Sequence, residues 1–266
     1  MTETLLQNAR QRLVIGTVPI DVVSFQEALH RIEALVEAGR GGTVFTPNVD
    51  HIVLAETDAE FREGYLRASL SLVDGMPLVW ASRLLGTPLP EKVSGSDLLL
   101  PLAELAGKKG WPVYLVGGGP GVAERVGAEL SRRFGTTVCG LASPRIDLSP
   151  SGEASSREAL ERIRAAKPRL VFVALGSPKQ EIFIHRYVDS MRPAVAVGVG
   201  ASFDFLVGVQ SRAPRWVSRM GMEWLFRLAM NPKRLWRRYL LNDPKFLGIF
   251  RRTWRRSRGA PNTPNA

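Results

Sequence analysis

Val113-Tyr114-Leu115-Val116-Gly117-Gly118-Gly119-Pro120-Gly121, leading into Val122 to Phe134, decides the fold class. An unbroken apolar run of strand length ends in a glycine cluster, and a helix-length segment follows. The unit recurs. Leu170 to Leu175 runs into Gly176-Ser177-Pro178-Lys179-Gln180-Glu181 and a helix to about Met191, and Ala194 to Val199 runs into Gly200-Ala201-Ser202-Phe203-Asp204. Between them Thr137 to Gly140 reads as a strand and Ser155 to Ala166 as a helix. Continuously apolar strands separated by helices of roughly 10–15 residues predict a mostly parallel, Rossmann-like α/β sheet with helices on both faces.

Toward the N-terminus the same alternation continues less regularly. Residues 13 to 20 read as one short strand. Ser24-Phe25-Gln26-Glu27 has capping-box spacing and opens a helix that Gly39 ends. Thr43 to Thr46 is a strand broken by Pro47-Asn48, and Val49 to Leu70 is helical in two pieces, with a fresh start near Thr57-Asp58. Leu70 to Val73 is the strand that delivers Asp74-Gly75-Met76-Pro77, and Pro77 to Leu85 the next helix. A Gly/Pro-rich turn then leads to Glu91-Lys92-Val93-Ser94-Gly95-Ser96-Asp97 and an apolar helix to Ala106.

The chain has 266 residues and a formal charge of +11, unevenly placed. Arg212 to Arg258 holds 14 Lys or Arg against only Glu223 and Asp243, together with Trp216, Trp224, Trp236 and Trp254. The remainder is close to neutral. After Gly208 the strand pattern stops, and Pro214, Pro232 and Pro244 punctuate three or four helical segments. Three regions follow: an α/β domain at 1–208, a basic, Trp-rich helical appendage at 209–258 and a disordered tail at 259–266. Cys139 is the single cysteine, which excludes an internal disulfide and a multi-cysteine metal site. Met1 to Arg12 is polar and does not read as a signal peptide, and no apolar run reaches membrane-span length.

In an open α/β sheet ligands bind outside the carboxyl ends of the strands. Asp74 falls at such an end, either as a base or as the N-cap of the following helix. Gly117 and Gly118 suit backbone contacts to phosphate or ribose, or a plain tight turn. The cluster matches neither G-x-G-x-x-G nor a P-loop. Gly176 and Ser177 bend the chain so that Lys179, Gln180 and Glu181 enter the first turn of a helix facing the crevice, where Glu181 could equally be a helix-dipole partner. Gly200 and Asp204 follow another strand. His30, His51 and His185 have no metal-ligand spacing, and no Asp-x-Asp pair is present to hold a divalent cation. A diphosphate would then depend on protein cations, for which Lys92 and the C-terminal arginines are the supply. The basic, aromatic appendage suits an anionic membrane surface better than nucleic acid, because arginines border an apolar face.

Thr46-Pro47-Asn48, Val73-Asp74-Gly75, Val93 to Asp97, Val116-Gly117-Gly118, Gly176 to Glu181, Val199 to Asp204, Arg212-Ala213-Pro214 and Glu223-Trp224-Leu225 with Arg227 occur in an order that resembles the WecG/TagA/CpsF glycosyltransferases, glycosyltransferase family 26. The resemblance runs from about Val14 to Phe246. It implies an inverting, metal-independent transferase without a cofactor, which moves a sugar from a UDP-sugar to a polyprenyl-diphosphate-linked sugar in bacterial surface-polymer synthesis. N-acetylmannosamine is the best-known sugar of that family, with glucose and galactose also represented. Asp74 would be the base, with Thr46 and Asn48 beside it. Gln180 and Asp204 would line the nucleotide-sugar pocket, and Arg227, Arg234 and Arg237 would reach the diphosphate. The protein would sit on the inner face of the plasma membrane, with a homo-oligomer as a further expectation. Lys92 stands where the family usually has arginine and lacks the bidentate fork. The competing classes are a nucleotide-cofactor oxidoreductase, which lacks its fingerprint, and a nucleic-acid-binding protein using the basic segment.

Overall fold

The computed structural model describes residues 11–143 and 153–259, so the signal-peptide reading and the tail beyond Gly259 lie outside the described residues. The chain begins with a correction. Residues 13 to 20 are not one strand but a hairpin, β1 (Arg12–Ile15) against antiparallel β2 (Val18–Asp21), turning at Gly16 with φ of 62°. Apolar residues run straight through the turn, so the apolar pattern alone does not reveal the reversal. Arg12 pairs with Asp21 at 3.0 Å, and the other Asp21 oxygen accepts the backbone N–H of Ser71 at 2.8 Å. These bonds pin the hairpin to the main sheet.

Helix α1 (Phe25–Ala38) has the expected Ser24–Glu27 capping box, and a left-handed Gly39 ends it. β3 (Gly42–Phe45) leads to α2 (Val49–Thr57) and α3 (Ala59–Leu66), divided at Asp58. The strand expected at Leu70 to Val73 has only two ladder residues, β4 (Leu70–Ser71). The extended chain nevertheless continues to Asp74, because Leu72 and Asp74 donate to the carbonyls of Phe45 and Pro47 at 2.8 Å each. Then come α4 (Met76–Leu84), α5 (Gly95–Lys109), β5 (Val113–Gly117), α6 (Val122–Phe134), β6 (Val138–Ala142), α7 (Glu153–Ala166), β7 (Leu170–Ala174), α8 (Lys179–Met191) and β8 (Val195–Gly198). The six-stranded sheet has the order β4-β3-β8-β7-β5-β6, with every pairing parallel.

All residues of β3, β5 and β8 are buried, which explains why these strands read as continuous apolar runs. Alternate residues feed two cores. Tyr114, Val116, Val171 and Val173 join the core on one face, and Val113, Leu115, Leu170 and Phe172 that on the other. Each such side chain contributes roughly 1.5–3 kcal/mol by leaving water.

A short helix that the sequence reading lacks, α9 (Ser202–Leu206), follows β8. Among the described residues the C-terminal segment then holds only helical elements joined by short irregular stretches: α10 (Arg215–Arg219), α11 (Glu223–Met230), α12 (Pro232–Trp236), a π-helical turn at Arg237–Asn242, a 3-10 turn at Asp243–Lys245 and α13 (Phe246–Gly259). Pro244 does not interrupt the path, because the widened π turn before it absorbs the missing N–H. Helix α13 returns to the body of the protein. Phe246 and Ile249 belong to the same core as Ile15 and Ile52, and Thr253 Oγ1 accepts the N–H of Gly16 at 3.0 Å.

Candidate active site

Because every strand of the main sheet is parallel, the segments leaving β3, β4, β5, β7 and β8 emerge on one edge. Two adjoining cavities lie there. The polar one, about 560 Å³, is lined by Thr46, Asn48 and His51 after β3, Gly118 and Gly119 after β5, Gly176, Ser177 and Gln180 after β7, and Gly200 and Asp204 after β8. The second, about 260 Å³, presents mostly apolar surface from Met76, Pro77, Trp224, Tyr239, Phe246 and Leu247, with seven charged residues also in its lining. Asn48, Asp74, Arg227 and Arg238 line both and so form the wall between them.

Asp74 is held in that wall by its backbone bond to Pro47. It does not cap α4. The N-cap is Gly75, at φ of 125°, and no side chain bonds the first turn. Burial raises the Asp74 carboxyl to about 6, against the pull of Lys92 and Arg227 and with a further push from Glu223 and Asp97. A carboxylate titrating just below neutrality is suited to taking a proton.

Glu223, in the first turn of α11, gathers the nearby cations. It accepts from Lys92 Nζ at 3.1 Å, Arg227 Nη2 at 2.6 Å and Ser218 Oγ at 2.6 Å. Burial pushes its carboxyl up, yet Arg227 and Lys92 hold it down to about 2. Lys92 is thus tied to the C-terminal segment, where a diphosphate clamp would compete with Glu223 for it. Arg238 donates to Asn48 Oδ1 at 3.2 Å and lies 3.2 Å from Asp50. Asp243 lines the same apolar cavity, and its carboxyl is pushed up to about 7 by burial and by Asp50, against Arg238.

The structure brings together most of the residues read from the sequence. Thr46, Asn48, Asp74, Gly118, Gly176, Ser177, Gln180, Gly200, Asp204, Lys92 and Arg227 all line one or both cavities. Four do not. Gly117 ends β5 at φ of 103°, and a Cβ there would stand 2.4 Å from the Ala174 carbonyl oxygen, so this glycine answers to a close strand approach. Lys179 is exposed and outside both linings. Glu181 is 1% exposed beneath the polar cavity, and burial pushes its carboxyl up to about 7 despite its 2.7 Å bond from Gln180. It therefore neither faces the crevice nor serves as a surface partner of the helix dipole. Arg237 is exposed and stacks over Trp236 at 5.4 Å. Arg234 falls on α12, and its side chain lies outside the described residues. Gln180 lines the cavity, but its amide is occupied, accepting from Gly200 N at 2.9 Å and donating to Glu181. It fixes the Gly200 turn.

Three lining residues were not singled out for the site from the sequence: His51, considered there only as a metal ligand, Tyr239 and Arg238. Arg238 lines the cavities where its neighbour Arg237 was expected. Asn231 and Leu235 line the polar cavity, and helical phase from them selects 238 over 237. Among the described residues no group of three or more His, Cys, Asp or Glu is placed to share a metal ion, and no helix is long and apolar enough to cross a membrane.

Comparison with known proteins agrees with this geometry. The chain is 32% identical over 238 residues, 87% of its length and 89% of the relative's, to the N-acetylglucosaminyldiphosphoundecaprenol N-acetyl-beta-D-mannosaminyltransferase of Bacillus spizizenii. The model of the glycosyl transferase WecG/TagA/CpsF family matches residues 13–260. A carboxylate at the edge of a parallel sheet, between two cavities that the basic C-terminal helices complete, thus lies within a chain that belongs to the WecG/TagA/CpsF family of glycosyltransferases.

Proposed function

We propose that this glycosyltransferase is an inverting, metal-independent enzyme that takes a hexose, N-acetylmannosamine or a close relative, from UDP to a sugar carried on a polyprenyl diphosphate. One observation carries the reading: Asp74, raised to about 6, stands in the wall between a polar cavity and an apolar one. The UDP-sugar occupies the polar cavity, with its phosphates against the turns at Gly118, Gly176 and Gly200. The lipid-linked acceptor enters through the apolar cavity between Met76, Trp224 and Leu247.

The reaction balances with one base. Asp74 takes the proton of the acceptor hydroxyl as that oxygen bonds the anomeric carbon from the face opposite UDP. The bond from that carbon to the diphosphate breaks, and UDP leaves with the electron pair. Arg227 and Arg238, with Lys92 when Glu223 releases it, offset the departing charge in a water-poor site. A second carboxylic acid is unnecessary, because UDP departs without protonation. A lipid-borne acceptor calls for docking on a membrane, in this reading the inner face of the bacterial plasma membrane, and Trp236, Leu240, Leu241 and Leu247 are each exposed in the basic C-terminal segment.

The test is a panel of UDP-sugars with a short-chain lipid-diphosphate sugar acceptor, assayed in the presence of EDTA. One donor should be consumed, releasing UDP and giving a product of inverted anomeric configuration. Absence of transfer from every UDP-sugar, or loss of transfer on chelation, contradicts the proposal.

A further inference from the structure

His51 lies in the first turn of α2, three residues beyond Asn48, with 4% of its surface exposed and its side chain against the polar cavity. Its Nδ1 is 2.6 Å from the Tyr65 hydroxyl oxygen. Phe61 meets the ring edge-on at 5.5 Å between centroids and Tyr65 flanks it at 6.1 Å, so its orientation is set by packing.

The hydroxyl also decides the tautomer. Among the described residues His51 Nδ1 is the hydrogen-bond partner of the Tyr65 hydroxyl, so the phenolic proton is donated there. Burial, and then the charge of Arg238, press the imidazole down to about 3, so the ring is neutral at working pH. With Nδ1 accepting, the single ring proton sits on Nε2. The bonds of His51's side chain to described residues stop at Nδ1, which leaves Nε2–H as a donor without a protein acceptor. Nε2 is open to the polar cavity that His51 lines, so a group held in the cavity can accept its hydrogen bond.

Sheet order says which part of a ligand that is. β3 and β5 are separated by β8 and β7, so three strand spacings of about 4.8 Å lie between the His51 end and the Gly118 end of the cavity. That span of roughly 14 Å separates the Gly118 turn from the end shared with Asp74, with the Gly176 and Gly200 turns between the two. We propose that Nε2–H of His51 donates a hydrogen bond to an acceptor oxygen of the transferred sugar, a hydroxyl or an amide carbonyl, and so takes part in choosing the donor. The inference rests on the placement of the UDP-sugar in the polar cavity.

The experiment compares wild type with His51→Leu, His51→Asn, His51→Gln and Tyr65→Phe. It measures UDP affinity by calorimetry, kcat/KM for the preferred UDP-sugar and the unfolding midpoint. His51→Leu and His51→Asn, whose shorter amide reaches only the Nδ1 position, should lose roughly tenfold or more in kcat/KM with UDP affinity unchanged. His51→Gln should recover most of the loss, and Tyr65→Phe should show a smaller loss of the same kind. Unchanged kcat/KM in His51→Asn and Tyr65→Phe, or an equal loss of UDP affinity, overturns the proposal. These two variants decide the matter even if His51→Leu does not fold. A wild-type protein that neither binds UDP nor transfers a sugar would instead refute the reading of the site itself.

Discussion

Asp74 can act as a base only when ionised, so its surroundings set the pH at which the enzyme works. With its carboxyl raised to about 6, kcat/KM should fall on the acid side of roughly that pH, as read from a pH–rate profile of the free enzyme. Glu223 contributes negative charge to this shift, so Glu223→Gln should move the acid limb to lower pH. An unmoved limb would separate the two groups. The same shift acts on stability. The folded pKa lies above the unfolded value of 3.8, so folding is progressively penalised as pH rises from about 4 to 6, and the full penalty persists above. Asp74→Asn should accordingly raise the unfolding free energy by about 1–3 kcal/mol at pH 7.5 and leave it little changed at pH 4, measured by denaturant titration at both. A stability loss at pH 7.5 would contradict this account. The residue type and strand-end place of Asp74 were legible in the sequence. Its shifted pKa was not, since Lys92, Asp97, Arg227 and Glu223 meet it only through tertiary packing.

Elements were most legible where the core imposes a strict pattern. The β5, β7 and β8 runs are apolar throughout because both faces of the sheet are covered, and each was readable to within about two residues. The β1–β2 hairpin was hidden because its turn interrupts no apolar pattern, and β4 was overestimated because two ladder residues continue as irregular extended chain. The glycine turn after β5 shows why a motif is ambiguous from sequence: Gly118 reaches the cavity while Gly117 serves strand packing. Gly117→Ala should therefore cost about 1–3 kcal/mol of stability, from left-handed strain and the clash with Ala174, as read by thermal unfolding. A neutral effect would remove the close-approach argument. Helix α13 belongs energetically to the body, since Ile249 is 4% exposed within the first core. Ile249→Ala should destabilise the whole protein by about 2–5 kcal/mol in one cooperative transition. Loss of α13 alone, in a separate early transition, would show an independent unit.

At the scale of the molecule, the C-terminal helices do two things at once. Arg227, Arg238, Trp224 and Tyr239 complete the cavities from one side, while exposed leucines and basic residues face outward. Removing the segment from Arg212 onward would also delete Phe246 and Ile249 and uncover the core around Ile15 and Ile52 on which they pack, so truncation confuses folding with catalysis. Point changes separate them. Leu240→Asp with Leu241→Asp should lower co-flotation with vesicles containing anionic lipid while leaving UDP affinity unchanged, and salt should weaken the wild-type association. Binding that depends on neither salt nor these leucines would argue against a membrane face there. The division of the site into a polar donor cavity and an apolar acceptor cavity arises from distant chain segments, 190 positions apart in the Arg238–Asn48 bond, and local pattern does not contain it. The most direct measurement is transfer from the preferred UDP-sugar to a short-chain lipid-diphosphate acceptor by Asp74→Asn, alongside calorimetric UDP binding. The account predicts that turnover falls by roughly 10²- to 10⁴-fold while UDP binds as to wild type. Turnover near the wild-type rate in a folded, UDP-binding Asp74→Asn protein would contradict it.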